Sequence, residues 1–222
     1  MAEDSKDYKF SQMILCEGPE DVCFFSTLIS ERGLPNFHVA HTAEGRNDAG
    51  GNSRFGSKLR ALRVSQSFRR NVKKVLVVTD SDEDQAASFA RVCAQLIAVG
   101  LPAPAQIGEI AQGAPAICVL TMPRVGTGNL ECCLMEAASA THPQTTAFVE
   151  QFVNAVANGP EWTDAKKGKL TLRALMAARW YRDPGIGLVR MFKDNAARRI
   201  IPLEHQSFNP LVAFLREFAE QP

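Results

Sequence analysis

The chain has 222 residues, of which 45% are hydrophobic and 22% charged, and its net charge is +1. That composition supports a folded domain with a real core and excludes a disordered chain. No apolar run reaches the length of a membrane span, and the polar start Met1–Lys9 reads as neither signal nor transit peptide, so a cytoplasmic protein without membrane contact is expected.

In chain order, Phe10–Glu17 reads as a first strand, because a short continuous apolar run ending in polar residues marks a buried parallel strand. It runs into Glu17-Gly18-Pro19-Glu20-Asp21. Pro19 suits the first position of a helix, and the acids that follow suit its dipole. This helix extends to about Arg32, before Gly33. Phe37–Thr42 is a second strand and Ala43–Ser53 a loop. Arg54–Asn71, with Phe55, Leu59, Leu62 and Phe68, is expected as one amphipathic helix. Lys74–Thr79 is the third strand and runs into Asp80-Ser81-Asp82-Glu83-Asp84. A helix over Asp84–Val99 is stopped by Gly100 and Pro102. Ala116–Met122 is the fourth strand, with room for a short one near Gln106–Ile110, and Asn129–Ala140 is a short helix.

This alternation predicts an α/β fold, a mostly parallel four-stranded sheet flanked by helices. After Thr141 the pattern turns helical over Gln144–Asn158, Lys166–Trp180 and Asn209 to about Glu220, with Gly159-Pro160 as a break. The expected division is a sheet domain, residues 1–141, and a mainly helical C-terminal extension, residues 142–222, packed on it.

In parallel sheets, ligands bind outside the carboxyl ends of the strands. Both acid clusters fall there. Two carboxylates about 4 Å apart repel by roughly 4 kcal/mol at an effective dielectric near 20. Shared protons or a bound cation would offset that repulsion. An all-oxygen donor set without His or Cys at ligand spacing suits Mg²⁺ or Mn²⁺. Glu131 follows the fourth strand and joins the candidates. Cys16, Cys23, Cys93, Cys118, Cys132 and Cys133 make no Cys-x-x-Cys pair and read as buried reduced thiols. His38, His41, His142 and His205 read as ordinary surface or core histidines.

Charge is unevenly spread. No acid occurs from Ala49 to Thr79, while Arg54, Lys58, Arg60, Arg63, Arg69, Arg70, Lys73 and Lys74 supply eight cations. A second basic stretch runs from Lys166 to Arg199. Basic flanks around an acidic centre suit a metal-dependent site working on a phosphate backbone, with the first group holding nucleic acid.

Four other readings compete. An EF-hand would need Gly and Glu where Gln85 and Arg91 stand. A haloacid-dehalogenase-type phosphatase also carries Asp-x-Asp after a strand. Capping the next helix would use one of the three Asp residues. Gly51-Asn-Ser-Arg-Phe-Gly56-Ser57-Lys58 imitates a phosphate loop with Ser and Lys exchanged.

A strand ending in Glu-Gly-Pro and a later strand ending in Asp-x-Asp, over about Phe10 to Ala140, resemble the Toprim domain of topoisomerases, primases and OLD-family nucleases. Leu130-Glu131 resembles the Leu-Glu of stand-alone OLD-like members. The ending from Ile201-Pro202-Leu203 to Asn209-Pro210-Leu211 is similar to small OLD-like and RloB-like ones. The resemblance implies a Rossmann-like sheet. It also implies a metal site of Glu17, Asp80 and Asp82, with Asp21, Asp84 and Glu131 assisting, and a catalytic Lys, Lys169 or Lys166. The expected activity is metal-dependent cleavage of DNA or RNA. A catalytically silent module binding nucleic acid or a partner ATPase is the alternative, and a small-molecule phosphatase the third reading. An oligomer is left open.

Overall fold

A computed structural model describes residues 7–43, 53–156 and 162–221. Most of the loop expected over Ala43–Ser53, the first two residues of the phosphate-loop imitation and the Gly159-Pro160 break lie outside the described residues. β1 (Gln12–Cys16), β2 (His38–His41), β3 (Lys74–Asp80), β4 (Ile110–Ala111) and β5 (Ala116–Met122) form one sheet in the order β2-β1-β3-β5-β4. β1 is parallel to β2 and β3, and β3 is parallel to β5. The four expected strands are joined by a fifth, since the segment before β5 folds back as antiparallel β4, with Ile110 opposite Cys118.

Successive strand residues face opposite sides. Met13, Leu15, Val75, Val77, Ile117 and Val119 face a core closed by α2 (Phe55–Leu62), α3 (Gln66–Asn71) and α4 (Gln85–Ala98). Ile14, Cys16, Leu76, Val78, Cys118 and Leu120 face the other core. That side carries α1 (Pro19–Glu31), α5 (Leu130–Thr141), α6 (Pro143–Val156), α7 (Asp164–Arg179), α8 (Leu188–Lys193) and α9 (Asn209–Glu220). The helices after Thr141 therefore share a single apolar core with the sheet. Lys74 at the start of β3 ties α9 down, its Nζ donating to the carbonyls of Phe218 at 2.7 Å and Ala219 at 3.0 Å.

The single helix expected over Arg54–Asn71 is two. α2 stops at Leu62, Val64 is 76% exposed, and buried Ser65 caps α3 by accepting from the Phe68 N–H at 3.3 Å. The cause is geometric. At 3.6 residues per turn an unbroken helix would carry Phe68 about 120° away from Leu62. The break at a good capping residue lets both face the core. α8 and the 3-10 turns Ala197–Ile200 and Gln206–Phe208 fill the span left without elements in the sequence reading. No helix among the described residues is long and apolar enough to cross a membrane.

Candidate functional site

β1 and β3 run side by side in parallel, with Leu15 opposite Val77, so both chains leave the sheet at the same edge. Glu17 and Asp80 are thereby carried to neighbouring strand tips. Glu17 Oε1 accepts from Thr79 Oγ1 at 2.5 Å and from the Asp80 N–H at 3.0 Å. These bonds fix the carboxylate of one tip against the backbone of the other. One helical turn on, Asp21 Oδ2 accepts from the Gly18 N–H at 2.9 Å, which also satisfies a free donor at the start of α1.

The third wall comes from β5, whose exit loop leads into α5. Buried Asn129 caps α5 by accepting from the Cys132 N–H, and its Nδ2 donates to the Ala165 carbonyl at 3.3 Å. Glu131, in the first turn of α5, is 4% exposed. Gly168 lets α7 lie close on this turn. A Cβ there would stand 2.6 Å from Cys132 Sγ, so a larger residue would force the Cys132 side chain to turn or the helices to part. The next residue, Lys169, reaches the acids. Together Glu17, Glu20, Asp21, Asp80, Glu131 and Lys169 line a concavity of about 410 Å³.

Electrostatics follow from five carboxyls facing one Lys in partial burial. Burial, then the charges of Glu17 and Asp21, push Asp80 up to about 8. Burial pushes Asp21 up to about 7 against the opposing Gly18 hydrogen bond. Glu17 and Glu131 are raised by burial, each partly offset by hydrogen bonding and by Lys169. Glu131 Oε1 is buried with no hydrogen-bond partner among the described residues. Without a cation, protons on Asp80 and Asp21 relieve the repulsion.

The Asp-x-Asp-x-Asp run does not enter the concavity as a unit. Asp82 has φ +50°, pairs its backbone with Gly128 and lies 3.9 Å from the Arg91 guanidinium. Its charge is still felt at Glu17 and Asp80. Asp84 Oδ1 caps α4, accepting from the Ala87 N–H at 3.0 Å. Asp82 and Asp84 line an adjoining depression with Arg91. Of the two candidate lysines, Lys166 lies over the Trp162 ring at 4.1 Å, while Lys169 faces the acids.

The expected basic flank is displaced. Arg63 and Arg69 stand with Lys73 and Lys74 where β3 and β5 begin, at the opposite edge of the sheet. Their segment leads into β3, so it must end at that strand's amino end. Arg54, Lys58, Arg60 and Arg70 belong to the same α2–α3 segment, and none of them lines the acid concavity. The cations whose charge reaches Glu131 are Lys169 and Arg173, both on α7. Thr79, Asn129 and Gly168 escaped sequence reading. Asn129 before a helical run was a readable capping signal, whereas Thr79 and Gly168 act only through partners distant in the chain.

A hard divalent cation suits this donor set in kind, with its all-oxygen ligands, excess negative charge and the unpartnered Glu131 oxygen. Among the described residues, no three His, Cys, Asp or Glu side chains are grouped so as to hold an ion as they stand. Closing a coordination shell therefore requires side-chain movement.

No curated protein matches the chain, and no solved structure matches it. The model of a family described as Protein of unknown function (DUF3226) matches residues 11–220, and the chain belongs to that family.

Proposed function

We propose that the chain is a Toprim-like phosphodiesterase that cleaves DNA or RNA with Mg²⁺ or Mn²⁺, in keeping with a cytoplasmic nuclease. The observation that carries this reading is the contact of Glu17 with the tip of β3, with Asp21, Asp80, Glu131 and Lys169 around one concavity. A cation held by Glu17, Asp80 and Asp21, with Glu131 and Asp82 in support, would supply charge neutralisation and an activated water.

The side chains have separable tasks. Thr79 and the Asp80 N–H orient Glu17 through Oε1, and the second oxygen takes the ligand or proton role. Without metal, burial raises Asp80 to about 8 and Asp21 to about 7, so a cation held by them would displace their protons, and metal binding would tighten as pH rises. Lys169 sets a positive charge opposite the acids and stabilises the negative charge that builds on the attacked phosphate. Arg173, one turn along α7, extends a phosphate track that carries no sequence information. Asp84 keeps its capping role.

The test is nicking of plasmid DNA and of structured RNA with each metal, by wild type and Asp80→Ala. Cleavage lost in the variant supports the reading; wild type inert on both substrates with both metals sinks it. The ungrouped acids favour a second reading, a silent module that binds nucleic acid or a partner ATPase. It predicts salt-sensitive nucleic-acid binding without turnover.

A further inference from the structure

The amino edge of the sheet carries a second concavity, also about 410 Å³, walled by Arg63, Arg69 and Lys73 around a floor of Phe68 and Val72. Its far wall is Gln112–Ala116, entering β5. It contains no acid. Among the described residues, none of these three cations has a carboxylate partner. Arg63 leans on the Val99 carbonyl at 3.4 Å, and Lys73 Nζ donates to the Arg70 carbonyl at 2.6 Å. Lys74, at the back, is used by the carbonyls ending α9. In the far wall Gly113 packs closely on Pro102, where a Cβ would stand 2.7 Å from Pro102 Cγ. Phe68 and Val72 lie beneath the concavity, only 1% and 3% exposed, so the accessible wall is made by the cationic side chains and by Gln112–Ala114.

Three cations around one concavity with no carboxylate among them favour an anion that enters between them. A volume of a few hundred Å³ is that of a small-molecule site rather than of a track for an extended strand. Arg guanidinium groups grip phosphate by paired hydrogen bonds. We infer that this pocket binds the diphosphate group of a small molecule, at a site separate from the acid concavity.

The probe is ADP, titrated calorimetrically into the full chain in excess EDTA, with inorganic pyrophosphate as the competitor. Saturable one-to-one ADP binding is expected. Arg69→Glu and, separately, Arg63→Ala weaken it by about tenfold or more through lost charge-assisted hydrogen bonds. Asp80→Asn leaves it unchanged, which separates this site from the acids. Pyrophosphate, which carries the same diphosphate group, competes with ADP for the site. Exposed Arg69 makes its variant safe for folding, and unchanged circular dichroism and melting confirm that. Absence of ADP binding overturns the inference. So does binding that survives both Arg variants, is lost in Asp80→Asn, or is not displaced by pyrophosphate.

Discussion

The two edges of the sheet are opposites. Where the parallel strands end, Glu17, Glu20, Asp21, Asp80 and Glu131 face Lys169. Where β3 and β5 begin, Arg63, Arg69, Lys73 and Lys74 gather with no acid. A net charge of +1 conceals this polarity. Carboxylates crowd on loops leaving the strands, and cations sit on the segment entering them. Like charges kept apart from their opposites must be offset from outside, by protons or cations at one edge and by anions at the other.

The comparison can be broken most forcefully at Lys169. Lys169→Ala is expected to lower metal-dependent cleavage by about 10²–10³-fold, as removal of a transition-state charge does. Lys166→Ala, removing a side chain that rests on Trp162, should leave the rate within about threefold, a change of under 1 kcal/mol. Initial rates on one substrate decide it; equal losses would remove the special place given to Lys169.

Next in size is the helix contact that presents Lys169. Gly168→Ala puts a methyl where Cys132 Sγ stands and should cost about 1–3 kcal/mol in urea unfolding. Adding Cys132→Ala empties that space and should return most of the loss. A double variant no more stable than Gly168→Ala would show that another contact sets the spacing of α5 and α7.

The acid edge also makes stability depend on pH. Asp80 and Asp21 rise from 3.8 to about 8 and about 7 in the folded protein, chiefly through burial. Between about pH 4 and pH 8 the native state holds more protons than the unfolded chain, so their contribution is greatest below pH 4 and is lost as pH rises. Without metal, Tm should fall across that range. Asp80→Asn should flatten the fall, each kcal/mol recovered being worth about 2–4 °C at this size. A Tm that rises from pH 5 to 8 would contradict the burial of these acids.

The smallest effect belongs to Thr79→Val, which removes the 2.5 Å bond to Glu17 while keeping the side-chain shape. A loss of about 1–2 kcal/mol is expected, seen as a lower urea midpoint. An unchanged midpoint would mean that the Asp80 N–H alone holds Glu17.

Much of the fold was readable because buried parallel strands are continuous apolar runs. Met13–Cys16, Val75–Thr79 and Ala116–Met122 each carry that mark, and Pro19, Asp84 and Asn129 stand at helix starts. The break at Ser65 was not readable as such, because it answers to the direction Phe68 must face once Leu62 is fixed against the sheet. β4 was barely legible, since two residues carry no periodicity of their own. At the site, Glu17 and Asp80 could be placed at the same edge of a parallel sheet, while their adjacency comes from β1 lying beside β3. Asp84 could not be assigned between capping and the acid group, because both uses need the same residue at the same place.

The sequence by itself determined which residues are strand tips and which are acids, because hydrophobic runs and charge are local properties of the chain. Only the tertiary structure decided that Lys169 rather than Lys166 meets the acids, that Asp82 and Asp84 turn aside, and that Arg63 and Arg69 lie at the far edge. Those outcomes depend on the approach of α7 at Gly168, the backbone turn at Asp82 and the direction in which a crossover must re-enter the sheet, which are relations between segments distant along the chain.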